Sequence, residues 1–339
     1  MSKVSSVFGD PPGASSTAEE IARFVVEAAV SSPSVHNTQP WWFYGAGHEI
    51  GIHADDERML AVADPDGREM MISCGAALFT ARVAMRYIGL VPEVRLFPEQ
   101  GVSNLVARIG WEDAAPPVDY ERDLFAEIPR RRTHRGGFDA EPLPGLVASA
   151  LMDEAFKEGA TLLILGDEAQ RNALAGIVEA GEYAARVSPA RARELARWAP
   201  GPRSARRDGV PATAYPARPD RIEPNFPARD FAHGHGWGLP PAGEGRPLFS
   251  AGTVAILATA ADRPEDWVAA GQALQRMLLY ATYCGLSAAL HSQPLEIPQL
   301  RDFIRMQFCD GAWPQLVIRL GVTDRAAISV RRPVEEVLF

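Results

Sequence analysis

The sequence predicts an α+β protein built from two related halves in one chain, with a Pro/Gly-rich insert in the second half. Three observations carry this. GAALFTARVAMRYIGL from Gly75 matches GQALQRMLLYATYCGL from Gly271, with Gly, Ala, Leu, Tyr, Gly and Leu at the same offsets. Each match then feeds an apolar, β-branched run, LVARIG from Leu105 and LVIRLG from Leu316. The stretch from Ala199 to Pro247 is crowded with Pro, Gly and Arg, a composition that disfavours regular structure and reads as a lid. Two amphipathic helices could converge by chance, but a matched helix followed by a matched strand argues for one unit used twice.

Taken in order, a helix is expected from about Ala18 to Val30, and WWFYGAGHEIGIHA reads as a hairpin-like strand pair. DPDGRE makes a turn ahead of the first matched helix, so Asp64 and Arg68 read as structural. Apolar residues recur at helical spacing in both matched segments, and Gly89 and Gly285 stand where a left-handed cap would end each helix. The second half opens near Pro129, with a helix around Leu146 to Glu158, a strand from Thr161 and a helix from about Glu168 to Val187. The expected units are a truncated half at 1–128 and a half at 129–339 that carries the lid at about 199–247.

Composition narrows the function. Of 339 residues, 47% are hydrophobic and 23% charged, which is globular composition. A formal net charge of −9 argues against a general binder of nucleic acid or of acidic membranes. The N-terminal stretch has no signal-like apolar core and no segment approaches a membrane-spanning run, so a cytoplasmic protein is expected. Cys74, Cys284 and Cys309 form no CxxC and read as buried thiols. His233 and His235 lie in a glycine-flanked pair without a further ligand nearby, and no metal is expected. Walker, GxGxxG, HExxH and GxSxG motifs are absent from the sequence.

Four segments can carry chemistry. In SPSVHNTQPWW, from Ser32, a carboxamide from Asn37 or Gln39 with backbone groups of Pro33 and Ser34 could match the alternating donors and acceptors of a uracil-like ring edge. On chemistry alone, a polar turn leading Trp41 and Trp42 into the core is the simpler reading. In RRRTHRGGF, from Arg130, arginines at alternate positions beside a hydroxyl could converge on a phosphate, although on its own such a run reads more simply as a solvated basic loop. VRRPVEEV places Arg331 and Arg332 near the C-terminus, and GLSAALHSQP places His291, Ser292 and Gln293 after the second matched helix.

Together these segments resemble the nitroreductase superfamily, and most of all its Acg branch, through HNTQPW, DPDGRE, SCGAAL, RRTHR, AGQALQR and RRPVEEV across almost the whole chain. The resemblance implies a nitroreductase-like pseudo-dimer with FMN as cofactor and NADH or NADPH as hydride donor. An electron-poor aromatic or a quinone is the implied acceptor. PSxxNxQPW implies flavin contacts from Pro33, Ser34, Asn37 and Gln39, a motif that in ordinary homodimers reaches across to the other subunit's flavin. RxTxR implies phosphate contacts from Arg131, Thr133 and Arg135, with Arg331 closing the pocket and Arg332 as its rival. His291, Ser292 and Gln293 are implied beside the flavin ring, although the acidic residue and glycine common there are missing. Each half lacks what the other keeps, so one flavin site per chain is expected, and a monomer could complete it. No side-chain nucleophile is required. Storage of FMN beneath the lid is the alternative function.

Overall fold

The computed structural model describes residues 8–13, 15–99, 101–102, 104–139, 143–201, 203–214, 220–231, 248–325 and 328–339. Helix α1 (Ala18–Ala29) starts at a capping box in which Thr17 Oγ1 accepts from the Glu20 amide and Glu20 accepts from the Thr17 amide. Strands β1 (Trp41–Ala46) and β2 (Glu49–Ala54) form the expected hairpin. Helix α2 (Arg68–Tyr87), β3 (Glu93–Leu96) and β4 (Leu105–Gly110) follow. The sheet order is β1-β2-β4-β3, with every neighbouring pair antiparallel. Helix α3 (Asp119–Glu127) leads into the second half.

There α4 (Gly145–Phe156), β5 (Thr161–Ile164), α5 (Glu168–Val187) and α6 (Pro189–Arg197) precede the insert. Strands β6 (Arg221–Glu223) and β7 (Leu248–Ser250) pair in parallel across its neck. The chain continues through β8 (Thr253–Thr259), α7 (Pro264–Tyr283), β9 (Ser287–His291), α8 (Pro298–Phe308) and β10 (Trp313–Gly321). The second sheet runs β5-β8-β10-β9, again antiparallel throughout. The sequence reading singles out β10 but neither β8 nor β9.

The duplication is therefore visible in topology as well as in sequence. In each half the first, second, fourth and third strands lie side by side, with a helix of 20 residues between the second and third. Gly89 (φ 84°) and Gly285 (φ 77°) end those helices in the left-handed conformation, as their positions predict. The helices cross at the repeated glycines. A Cβ on Gly75 would lie 2.2 Å from the Val268 carbonyl oxygen, and one on Gly271 would lie 2.0 Å from that of Ile72. Only a residue without a side chain lets the two backbones approach so closely.

The C-terminal tail crosses back to the first half. Phe43 donates to the Val337 carbonyl and accepts from the Phe339 amide at 2.9 Å, so the tail covers the edge of β1. Cys74 and Cys309 are buried and Cys284 is half-buried, all as free thiols. The Asp64 carboxylate accepts from the Met70 amide at 3.0 Å in the first turn of α2, the structural role expected of it. No helix among the described residues is long and apolar enough to cross a membrane. Those residues contain no cluster suited to a metal, and His233 and His235 lie outside them.

Candidate functional site

The loop after α1 is held in an unusual shape. His36 (φ 45°), Asn37 (φ 54°) and Gln39 (φ 50°) are all left-handed, at a cost of roughly 1–2 kcal/mol each for L-residues. Bonds from both sides over-determine that shape. Ser73 Oγ accepts from the Val35 amide at 3.2 Å, Ser34 Oγ from the Gln39 amide at 3.0 Å, and Ser32 Oγ donates to the Ala76 carbonyl at 3.1 Å.

Facing it, residues 130–138 run beside the second sheet. The His134 amide donates to Ala288 O at 2.8 Å and the Phe138 amide to Ser250 O at 2.9 Å. Between loop and segment opens a cleft of about 910 Å³, with Pro33, Ser34 and His36 from the first half and Thr133, Arg135, His291, Ser292 and Gln293 from the second. A pocket of about 300 Å³ shares Pro33, Ser34, Thr133 and Arg135 with the cleft and adds Asn37 and Arg331. The pocket adjoins the cleft at those four residues, as its narrow end.

Positive charge is concentrated at this narrow end, which Arg135 and Arg331 line, while Arg131 is buried close to them and lines neither space. Arg131 lies at 2% exposure, and one of its nitrogens, Nη2, donates to Ser31 O at 3.3 Å. Its Nε and Nη1, and the Nε of Arg331, are buried without a hydrogen-bond partner. Arg331 donates to Asn37 Oδ1 at 2.9 Å, to Val330 O at 2.8 Å and to Ser31 O at 3.1 Å, all uncharged. Burial, then the nearby guanidinium groups of Arg132 and Arg135, push Arg331 down to about 9. Burial, Arg331, Arg132 and Arg135 hold Arg131 well below the usual arginine range. An arginine keeps its proton in proteins, so this crowding is relieved by an anion rather than by loss of a proton. The unmet donors fit the oxygens of a phosphate monoester, as FMN would present.

No family model matches the chain. Among curated proteins, the Mycobacterium tuberculosis protein named "Putative NAD(P)H nitroreductase Rv3131" is 32% identical over 303 residues, covering 89% of this chain and 85% of its own. "Putative NAD(P)H nitroreductase acg" from the same organism is 26% identical, over 94% of this chain and 95% of its own. This chain belongs to the nitroreductase superfamily, in its Acg family. A solved Bacteroides fragilis nitroreductase with bound FMN aligns more loosely, at 14% identity and a TM-score of 0.37 over 62% of this chain and 92% of that one.

The nitroreductase motif residues do not all meet at the cleft. Gln39 is fully buried and engaged at both ends, donating to Arg207 O and accepting the Arg332 amide, each at 2.8 Å. It ties the insert to the C-terminal tail and does not line the cleft. Asn37 lines the narrow pocket, where its carboxamide orients Arg331 and donates to Gly209 O of the insert at 2.9 Å. Arg332 turns away, donating to the Glu336 carbonyl at 2.9 Å. Ser292 and Gln293 line the wide end with side chains held by Glu296 and Glu182.

Four further residues that line the cleft were not singled out from the sequence. Arg319 on β10 is 1% exposed and lines the cleft, donating to His291 Nε2 at 2.9 Å and to Gly136 O at 3.1 Å. Burial, then Arg319 and Arg229, keep His291 neutral. Glu69 on α2 is buried on the cleft wall and bonded to Arg68 at 2.8 Å, and burial followed by Glu296 pushes its carboxyl up. From the insert, Arg229 pairs with Glu296, while Phe231 sits edge-on to His36 at 5.4 Å.

Proposed function

We propose that the protein binds one FMN across the junction of its halves and acts as an FMN-dependent NAD(P)H oxidoreductase. The observation that carries this is Arg331, which lines the narrow end of a cleft walled by both halves, with Arg131 buried close by; the pair has unmet donors and no carboxylate partner among the described residues. FMN, when bound, supplies acceptance of hydride from NADH or NADPH and its delivery to an electron-poor aromatic or quinone-like acceptor.

The chain's own residues bind and orient. In this reading Arg131, Thr133, Arg135 and Arg331 hold the phosphate, Asn37 sets the Arg331 guanidinium, and Pro33 and Ser34 form the wall between phosphate and ring. His291, Ser292 and Gln293 flank the ring, and Gln39 keeps its motif position as a brace. Because one chain supplies both walls, a monomer suffices, with 1–128 and 129–339 as its units. A cytoplasmic setting completes the reading.

A second reading, storage of FMN, has its own support in the insert. Phe226, Arg229 and Phe231 close towards the cleft, and Arg229 is tied down by Glu296. Hydride transfer requires contact at about 3–3.5 Å, so a cover that stays shut keeps a nicotinamide out. Reconstituted protein should hold one FMN per chain as a monomer, and excess NADPH or NADH should bleach it anaerobically. Two equivalents or none would overturn the single-site reading. A bound flavin that neither cofactor bleaches, even after the insert is shortened between Gly201 and Gly245, would leave storage as the function.

A further inference from the structure

Beyond the cleft lies a second cavity, partly open to solvent and bounded by α5, α6 and the insert, which shares His36 and Arg229 with the cleft as its wall. We propose that this cavity seats a second small ligand, a planar molecule that presents a carboxylate, nitro or carbonyl oxygen to the His36 imidazole. The inference rests on the reading above in one respect: the flavin takes the cleft and leaves this cavity free for another molecule.

The chemistry follows from which polar groups are already satisfied. Glu182 accepts from the Asp230 amide at 2.9 Å, and the two oxygens of Glu194 accept from the Val62 and Ala63 amides at 2.9 Å. Glu296 holds both Arg191 and Arg229. His36 stands apart. It is 9% exposed, and neither ring nitrogen has a partner among the described residues. Arg186 adds a second buried, unpartnered N–H at its Nε. Unmet hydrogen-bonding nitrogens inside a protein penalise the fold unless something fills their valence.

The ring is also fixed in place. His36 has a left-handed backbone, its loop is braced on α2, and Phe231 meets it edge-on. Burial and the guanidinium groups of Arg229 and Arg135 hold the imidazole neutral, which leaves it one N–H to donate. The guanidinium groups of Arg229 and Arg135 near the ring favour the electron-rich end of a ligand there, and Ala63, Ala185, Ala192 and Leu195 supply an apolar surface for a ring.

The test is calorimetric titration of the FMN-loaded chain and of the flavin-free chain with 4-nitrobenzoate, without NAD(P)H so that nothing turns over. One site is expected. His36→Ala, which removes the hydrogen bond, and Ala192→Trp, which fills the cavity, should each weaken binding about tenfold or more, whereas His36→Gln should stay within about threefold. FMN content should be unchanged in Ala192→Trp, and circular dichroism checks that each variant folds. No binding to the wild type, or binding indifferent to both Ala192→Trp and His36→Ala, overturns the proposal. So does a loss of FMN in the His36 variants that matches the loss of 4-nitrobenzoate, because His36 would then belong to the flavin site. If the wild type takes up no FMN, the oxidoreductase reading fails, and the flavin-free titration still decides the cavity.

Discussion

Two arginine clusters sit between the halves, and they are built in opposite ways. Arg82 and Arg276 reach Glu158 at 2.6 and 3.0 Å, Arg276 also reaches Glu154 at 2.6 Å, and Tyr120 donates to Glu154 at 2.5 Å. Among the described residues, Arg131 and Arg331 reach only carbonyl oxygens and the Asn37 carboxamide. The same side chain responds in opposite directions. Burial works against Arg276, but Glu154 and Glu158 raise it above the usual value, whereas Arg132 and Arg135 add to the effect of burial on Arg331. A cluster that carries its own counter-ions is a joint; one that has none among the described residues is suited to an anion from outside.

The largest expected effects test this contrast directly. Arg276→Ala leaves Glu154 and Glu158 short of a partner and should destabilise the fold by about 2–4 kcal/mol, below the full cost of a deeply buried pair because Arg276 is partly exposed. Its FMN affinity should hold. Arg131→Ala, Arg135→Ala and Arg331→Ala should each weaken FMN binding by roughly 1.5–3 kcal/mol, while riboflavin, lacking the phosphate, hardly responds. Removing buried charge at Arg131 or Arg331 should leave the melting temperature of the flavin-free chain unchanged or higher. Thermal denaturation and flavin titration separate the two patterns. If Arg331→Ala melts as early as Arg276→Ala, or weakens both flavins equally, the two clusters are alike and the contrast fails.

The fold was legible because its signals are local. Matched glycines, helical spacing and β-branched runs are set by backbone sterics and survive duplication, so both central helices and the strands at Leu105 and Leu316 were found. The arginine-rich end of the cleft was legible only through motifs, since a run of arginines looks the same whether solvated or buried. What decides is the tail covering the edge of β1, which turns Arg331 inward and sends Arg332 to Glu336. Gln39 shows the opposite failure. Its type suits a flavin edge, but the insert and the tail take both ends of its carboxamide. Arg319 had a readable signal, a charge in the middle of the apolar run LVIRLG. Arg229 had none, because the insert has no periodicity to break.

A smaller effect concerns the acid on the cleft wall. Burial and Glu296 raise the Glu69 carboxyl above its ordinary 4.5, with Arg68 opposing. Between 4.5 and that raised value the folded chain keeps a proton that the unfolded chain releases, so stability falls as pH rises through this window. Below it both states are protonated and the penalty disappears. Glu69→Gln cannot ionise and should flatten the decline, leaving the variant more stable than the wild type by roughly 1–2 kcal/mol above the window. Melting temperatures across the pH range check this, and parallel slopes for the two proteins would place the titration elsewhere.

The smallest effect is expected at Arg332, and it sharpens the comparison because Arg331 is its neighbour in sequence. Arg332 is engaged by the Glu336 carboxylate and carbonyl and lies near the Trp41 carbonyl, so its charge serves the tail. Arg332→Ala should therefore change FMN affinity by less than about 0.5 kcal/mol, the usual reach of a substitution outside the contact. Any loss of stability should come from loosening of the tail, which would reach Arg331 only indirectly. Because Asn37 and Val330 also hold Arg331, that indirect effect should be minor. A flavin titration of Arg332→Ala beside Arg331→Ala decides it: a larger loss at Arg332 would mean that the tail seats one residue out of register with the bonds described above.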